Sequence, residues 1–137
     1  FIVLDLLTGR VDHRHPLYSW LTDYGMSDLD IAWFAQNPQA PDVLGLDYYT
    51  HSDWQLDEVG GSVRQRRADN PAGLHAVASA YYNRFGLPMM LTETSVEGQP
   101  INRDIWLDQN IDEIARLRAE GIPMLGLIWW PMLDQID

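Results

Sequence analysis

Pro88-Met89-Met90-Leu91-Thr92-Glu93-Thr94-Ser95 is the stretch that decides the fold of this chain. It contains most of the apolar run of residues 87–91 and carries a carboxylate, Glu93, two residues after the end of that run. Buried parallel strands carry functional side chains at their C-terminal ends, where the following loops open a pocket. Glu93 is therefore the first candidate for a catalytic residue. The alternative is a glutamate that begins a solvated loop, because most carboxylates in proteins are exposed.

The composition is that of a globular protein with a strongly acidic balance. Its 137 residues, of which 46% are hydrophobic, fit a single domain spanning the whole chain. A net charge of -11 argues against a phosphate backbone or an anionic membrane surface as the partner. We therefore expect no nucleic acid and no membrane among the partners. The one basic cluster, Arg64-Gln65-Arg66-Arg67, is interpreted as part of a solvated loop.

Metal sites and membrane spans are not indicated by the sequence. The absence of cysteine excludes disulfides and thiolate metal sites, and it leaves the cellular compartment open. His13, His15 and His51 lack the spacing of metal ligands. No apolar run approaches the ~20 residues of a membrane span. Because the chain opens on Phe1 without a methionine or a visible targeting signal, we expect a piece of a longer polypeptide.

Apolar runs predict three strands in the second part of the chain. They lie at residues 43–49, 87–91 and 124–130, and a polar loop is predicted from residue 50 to residue 69. Near-continuous apolar strands indicate burial on both faces of a sheet. Alternation of these strands with helices predicts an α/β fold with a parallel sheet and right-handed crossovers.

Helix start and stop signals separate the strands. Asn70 is predicted as the N-cap of one helix that Gly86 ends, and Asn102 as the N-cap of a second that ends at Gly121. A shorter helix is predicted between the N-cap Ser27 and Asn37-Pro38. The remaining residues among the first forty give no clear pattern.

The strand ends bring candidate side chains to one edge of the predicted sheet. Parallel strands finish on the same edge, so Asp47, Tyr49, Glu93 and Trp130 should cluster. A tyrosine at position 49 could hydrogen-bond Glu93 and hold it ionised. Trp129 and Trp130 must point to opposite faces, so one can pack under a helix while the other offers a flat apolar plate to a sugar ring. The alternatives are a half-buried strand tyrosine at position 49 and a strand-end tryptophan that packs in the core.

Three motifs in this order resemble glycoside hydrolase family 1, the retaining β-glycosidases built on an eightfold barrel. Residues 44–50 resemble the family's Gly-Ile-Asn-Tyr-Tyr-Thr strand, residues 88–95 its strand ending in Thr-Glu-Asn-Gly, and residues 130–137 its Trp-Ser-Leu-Leu-Asp-Asn-Phe-Glu segment. Residues 6–9 and 70–74 resemble weaker landmarks of the family. The resemblance implies a partial (β/α)8 TIM barrel, comprising roughly the last three βα units in the C-terminal part of the barrel.

The resemblance also implies roles for individual residues. Glu93 matches the catalytic nucleophile, Tyr49 the tyrosine that hydrogen-bonds it, and Trp130 the tryptophan under the sugar. Asp137 matches a glutamate that binds distal sugar hydroxyls, and Asp47 stands where the family has an asparagine. The implied activity is hydrolysis of β-glycosides with retention, with a carbohydrate substrate and without a cofactor or metal.

Several departures from the family pattern leave the sugar specificity open. Thr94-Ser95 replace Asn-Gly, Gln135 replaces asparagine, and Asp137 is one methylene shorter than glutamate. The family's general acid lies within Asn-Glu-Pro on an earlier strand, and the sequence contains no such tripeptide. Within the chain, the carboxyls considered for this role are at positions 47, 58 and 97, namely Asp47, Glu58 and Glu97.

The missing acid motif keeps other interpretations open. The chain is predicted to be the nucleophile-bearing part of a glycosidase that is completed by the remainder of a longer chain or by another copy of itself. The main alternative is a non-catalytic carbohydrate-binding or assembly fragment. A third is another parallel-barrel enzyme whose strand ends match by coincidence.

Overall fold

The computed structural model describes residues 1–133, and within it the chain divides into two compact units. The first unit is Phe1–Asp42, and the second begins at Val43. Asp137, the predicted contact to distal sugar hydroxyls, lies outside the described residues.

Three short helices form the first unit: α1 (Ile2–Leu7), α2 (Tyr18–Asp23) and α3 (Asp28–Gln36). Their core consists of four buried aliphatic side chains, with partly buried neighbours packed around them: Leu6, Val11, Leu21 and Ile31. The predicted boundaries of α3 are confirmed. Ser27 forms a capping box with Asp30, in which each side chain bonds the other's backbone N–H, and Asn37 is the C-cap.

A three-stranded parallel sheet is the centre of the second unit. Its strands are β1 (Leu44–Asp47), β4 (Met89–Thr94) and β5 (Met124–Trp129), and β4 lies between the other two. All three predicted strands are therefore present, although β1 ends two residues earlier and β4 starts and ends later than the apolar pattern indicated. The central strand is buried most completely, because Met89 and Leu91 have no exposed surface.

Helices α4 (Gly73–Phe85) and α5 (Pro100–Ala119) connect the strands of this sheet. The stop signal at Gly86 is confirmed, since this residue is the C-cap in the left-handed region with φ 67°. The predicted N-cap Asn70 is wrong, because Gly73 takes φ 88° and this conformation interrupts any helix that starts before it.

The predicted start of α5 at Asn102 is also wrong. Pro100 occupies the first helical turn and Gln99 is the N-cap, with an extended backbone at φ -62° and ψ 142°. Proline at this position has a backbone angle that already suits a helix and has no N–H that needs a partner. Asn102 consequently lies inside the first turn rather than before it. At the other end, the C-cap is Glu120, and the predicted stop at Gly121 lies one residue later.

Residues 54–67 form an antiparallel hairpin, where the sequence pattern had predicted a polar loop. The hairpin consists of β2 (Trp54–Val59) and β3 (Ser62–Arg67), joined at Gly60-Gly61. Both glycines have positive φ values, 60° and 77°, as a tight two-residue hairpin turn requires. The loop prediction failed because almost every residue of the hairpin is exposed, so no buried face produced a clear alternation.

Candidate functional site

The C-terminal ends of β1, β4 and β5 bring the predicted residues together. Asp47 at the end of β1 pairs in register with Glu93 on β4, after a shift in register between Leu46 and Asp47. On the other side, Thr94 pairs with Trp129 at the end of β5. Glu93 is half-buried and Asp47 is exposed. The sheet therefore holds two carboxylates side by side, with Trp129 at the end of the adjoining strand and Trp130 directly after it.

The side chain of Tyr49 lies close to the carboxylate of Glu93 and interacts with it. Tyr49 follows the end of β1 by two residues and is half-buried. Burial, the hydrogen bond to Glu93 and the negative charges of Glu93 and Asp47 together raise the pKa of Tyr49 to about 12. Tyr49 therefore stays protonated at neutral pH and remains a hydrogen-bond donor to the carboxylate.

Asp47 is held by a neutral donor. The hydroxyl of Thr92 lies 2.8 Å from Asp47 Oδ1 and 3.1 Å from the Leu46 carbonyl oxygen. Hydroxyl groups are thus the neighbours of both carboxylates at the sheet edge: Tyr49 lies next to Glu93, and Thr92 donates to Asp47. This arrangement leaves their charges uncompensated by these partners, while the hydroxyls restrict their orientation.

A buried polar layer next to Glu93 links the end of β4 to β1 and to α5. The Thr94 hydroxyl donates to the Tyr48 carbonyl oxygen at 2.6 Å and accepts from Trp106 Nε1 at 2.9 Å. The Tyr48 ring stacks on Trp106 with 6.0 Å between ring centroids, and its hydroxyl donates to Asp53 Oδ2 at 2.6 Å. Sequence reasoning missed this layer. The only signal for it was the alternation that turns Tyr48 and Tyr49 to opposite faces.

The two adjacent tryptophans take different environments, as their alternation predicted. Trp129 is half-buried, and the guanidinium carbon of Arg103 on α5 lies 5.7 Å from the centroid of its ring. Trp130 keeps 46% of its surface exposed. Arg103 also donates to the carbonyl oxygens of Pro131 and Met132, at 2.9 and 2.8 Å. This arginine therefore anchors the segment that follows β5.

An open groove of about 570 Å³ lies at these strand ends. Tyr49 and Trp130 line it, whereas Glu93 and Asp47 are not among its lining residues in the described part of the chain. Tyr49 lies between the groove and Glu93, because it lines the groove and also interacts with the Glu93 carboxylate. The remaining lining residues come from the loops after β1 and β4, the base of the hairpin and the end of β5: Thr50, His51, Arg67, Ser95, Val96, Glu97 and Pro131.

Two of the lining residues that are not among the predicted site residues are His51 and Arg67. His51 stacks on Tyr49 with 5.3 Å between ring centroids and an interplanar angle of 15°. Arg67 reaches the groove because it is the last residue of β3, in the hairpin that the sequence pattern missed. Within residues 1–133, no three histidine, aspartate or glutamate side chains gather as metal ligands would. No helix in this range is long and apolar enough to cross a membrane.

Solved structures of three enzymes share this fold, and one of them is a family 1 glycoside hydrolase. A family 1 glycoside hydrolase of Thermotoga maritima, solved with a cyclophellitol analogue that mimics the transition state, matches 96% of the chain with a TM-score of 0.73 and 18% identity. A β-glucosidase of Exiguobacterium marinum matches 96% with a TM-score of 0.65 and 16% identity. The AHE enzyme of Alicyclobacillus herbarius matches 93% with a TM-score of 0.69 and 19% identity.

The chain spans only part of each relative. It covers 33–35% of these three structures. In sequence, 68 residues are 29% identical to a β-galactosidase of Sulfolobus acidocaldarius, and this alignment covers 49% of the chain and 14% of that protein. No protein-family profile matches the chain. The resemblance drawn from the three motifs is thus confirmed at the level of fold: the chain has the fold of part of a (β/α)8 barrel, similar to about a third of a family 1 glycoside hydrolase.

Proposed function

We propose that this chain is the nucleophile-bearing, C-terminal part of a retaining β-glycosidase and that Glu93 is the nucleophile. The observation that carries the proposal is the position of Glu93 at the end of a parallel strand, in register with Asp47 and next to Tyr49, which lines the groove together with Trp130. The likeness in fold to a family 1 β-glucosidase of Thermotoga maritima and to the β-glucosidase of Exiguobacterium marinum supports a β-glycoside as the substrate class.

Retaining glycosidases form a covalent glycosyl-enzyme intermediate. A carboxylate attacks the anomeric carbon while a second carboxyl group protonates the leaving oxygen, and water then hydrolyses the ester. In the proposed mechanism Glu93 attacks, and the Tyr49 hydroxyl keeps its carboxylate in one orientation. Trp130 offers an apolar face on which a sugar ring can stack. The exposed Asp47 carboxylate accepts hydrogen bonds from sugar hydroxyls.

The three candidate acids within the chain differ in their positions. Asp47 stands beside Glu93 on the same sheet edge, which suits contact with the same sugar ring. Glu58 lies near the turn of the hairpin, two residues before Gly60. Glu97 lines the groove together with Tyr49 and Trp130, so it is the carboxyl among these three that the groove itself contains. Nucleophile and acid must flank the scissile bond, about 5 to 5.5 Å apart. We propose that the acid of the family is supplied from outside this chain.

The assignment of Glu93 can be tested without a general acid. An aryl 2-deoxy-2-fluoro-β-glucoside with dinitrophenolate as leaving group needs no proton for departure, so labelling depends on the nucleophile. We expect the chain to form a covalent adduct visible by intact-protein mass spectrometry, and Glu93→Gln to abolish it. Asp108→Asn on the exposed face of α5 removes the same charge and should label like the wild type. Retained labelling of Glu93→Gln would refute the assignment.

The proposed partner is the remainder of a barrel. Among the described residues, β1 and β5 are the two outer strands of the parallel sheet, and each has one edge without a strand partner. Proteins normally cover or pair such edges, and a closed barrel has none. We propose that a longer chain or a second copy supplies the missing strands. The mass of the native gene product separates these cases, since a product about three times longer identifies the chain as one part of a complete barrel.

A non-catalytic carbohydrate-binding or assembly role is the second candidate, and the absence of an Asn-Glu-Pro acid motif favours it. This role predicts binding of β-glucosides without turnover or labelling. Hydrolysis of an aryl β-glucoside by the purified chain, lost in Glu93→Gln and kept in Asp108→Asn, would exclude it.

A further inference from the structure

Gly45 on β1 allows an unusually close approach by Thr92 on β4. A Cβ atom built on Gly45 would lie 2.9 Å from both Cγ2 and Oγ1 of Thr92. Real Cβ atoms essentially never make contacts this short, so any other residue at position 45 would displace the Thr92 side chain. Gly45 does not have a positive φ. Glycine is therefore required at this position because a larger residue would collide with Thr92, and not because of the backbone conformation.

This close approach places the Thr92 hydroxyl between two acceptors at the end of β1. The oxygen lies 2.8 Å from Asp47 Oδ1 and 3.1 Å from the Leu46 carbonyl oxygen. A hydroxyl has one proton to donate, and the shorter distance favours the carboxylate. Threonine is β-branched and stiff at χ1, so the position of this hydroxyl is well defined once its methyl group packs against Gly45.

The carboxylate that receives this hydrogen bond is otherwise free to move. Asp47 is exposed, and within residues 1–133 its Oδ2 accepts no hydrogen bond. An exposed aspartate without a fixed donor samples several rotamers, and ordering it at the moment of binding costs conformational entropy. We propose that Thr92 is a positioning residue, which holds the Asp47 carboxylate in one rotamer with Oδ2 open to a sugar hydroxyl.

This inference rests on the proposed function in one respect, because it takes Asp47 as a contact to the sugar. Beyond that function, it assigns a positioning role to Thr92, which acts through Asp47, and it explains why glycine stands at position 45. A carboxylate accepts hydrogen bonds and donates none, so the hydroxyl it binds must act as donor. Ordering the carboxylate in advance improves affinity by lowering the entropy lost on binding.

The orientation of Asp47 can be measured without any ligand. Three-bond couplings to the labelled Asp47 carboxyl carbon report its χ1 rotamer by NMR. We expect one rotamer in the wild type and in Thr92→Ser, which keeps the hydroxyl, and averaged couplings in Thr92→Val, which keeps the shape and loses the donor. Gly45→Ala should also give averaging, because it displaces Thr92 without altering either partner. A single Asp47 rotamer in Thr92→Val would overturn the proposal.

The effect on sugar binding is read from the kinetics of labelling by the dinitrophenyl fluoroglucoside. Thr92→Val should raise the inhibitor concentration for half-maximal labelling by about three- to tenfold, the size expected when one side chain must be ordered on binding, and leave the maximal rate unchanged. In an Asp47→Ala background, Thr92→Val should cause no further loss. An equal loss in that background would overturn the proposal, because Thr92 would then act independently of Asp47. A wild type that fails to label contradicts the proposed function instead, and the NMR couplings still decide the role of Thr92.

Discussion

Replacing Glu93 with glutamine should lower the pKa of Tyr49. In the wild type this pKa is raised to about 12 by burial, by the hydrogen bond to Glu93 and by the charges of Glu93 and Asp47. Glutamine keeps the size of the side chain and an acceptor oxygen but removes the charge nearest the phenol. The phenolate of Tyr49 then forms beside one carboxylate, Asp47, instead of two.

The size of the change follows from these causes. The difference between an ordinary pKa of 10.0 and about 12 corresponds to about 2.7 kcal/mol of differential interaction, of which burial is the largest part. Glutamine leaves the burial in place, so we expect the pKa of Tyr49 to fall by about one unit and not to its ordinary value. At pH 11 roughly a tenth of Tyr49 would be ionised in the wild type and about half in Glu93→Gln.

The Tyr49 ring can be followed by NMR of a 13Cζ-labelled chain, with the signal assigned by its absence in Tyr49→Phe. Circular dichroism at each pH should verify that the chain stays folded. Asp108→Asn is the matched control, because it removes a charge from an exposed position on α5, and it should leave the Tyr49 titration unchanged. A Tyr49 pKa near 10 in the wild type, or one that Glu93→Gln does not lower, would refute the described contact.

The raised pKa of Tyr49 also predicts that the free energy of unfolding falls at alkaline pH. The pKa of Tyr49 is higher in the folded chain than in the unfolded one, so its contribution to the free energy of unfolding is fully present below pH 10. That contribution is lost as the pH rises from 10 through about 12. Tyr49→Phe removes this dependence, so the stability difference between the variant and the wild type should change over that interval. Urea unfolding at pH 8 and pH 11 measures it.

The remaining predictions concern the core and the sugar platform. Leu91→Ala on the central strand, where the side chain has no exposed surface, should lower the free energy of unfolding by about 2–5 kcal/mol in urea denaturation. Ile128→Ala on β5, where 46% of the surface is exposed, should cost about 1 kcal/mol or less. Trp130→Ala should weaken binding of the fluoroglucoside roughly tenfold in the labelling assay, with little change in stability, because it removes an exposed aromatic face. Unchanged affinity in Trp130→Ala would exclude this residue as the platform.

The sequence was sufficient to predict those strands and helices that have a buried face. The strands around Leu46, Leu91 and Met124 were found because each is a continuous apolar run, and these side chains are buried. The C-terminal end of α4 was found because Gly86 in the left-handed region stops a helix in a recognisable way. The N-terminal starts of α4 and α5 were misplaced, because asparagine before a helical pattern is a weaker signal than the local backbone at Gly73 and Pro100.

The hairpin shows what the apolar pattern cannot reveal. Its strands are exposed on both faces, so their pairing depends on the Gly60-Gly61 turn and not on a buried side. Two adjacent glycines flanked by extended residues were a usable hairpin signal that the loop prediction overlooked. As a result, sequence reasoning also missed that Arg67 reaches the groove.

The candidate site was predictable where it lies on strand ends. Parallel strands end at the same edge of a sheet, so the sequence predicted that Asp47 and Glu93 lie side by side. The two residues are paired in register in the structure. The partner hydroxyl of Thr92 was not predictable, because its contact with Asp47 depends on the close approach to Gly45 across two strands. Packing at that distance has no signature in a single sequence.

We propose that Glu93 carries the glycosyl group in the covalent intermediate. The most direct test of this proposal is to digest the chain after reaction with the dinitrophenyl fluoroglucoside and to locate the adduct by tandem mass spectrometry of the peptides. We expect one fluoroglycosyl ester, on Glu93, in the wild type and in Asp108→Asn. An adduct on another carboxylate, or labelling that persists in Glu93→Gln, would contradict it.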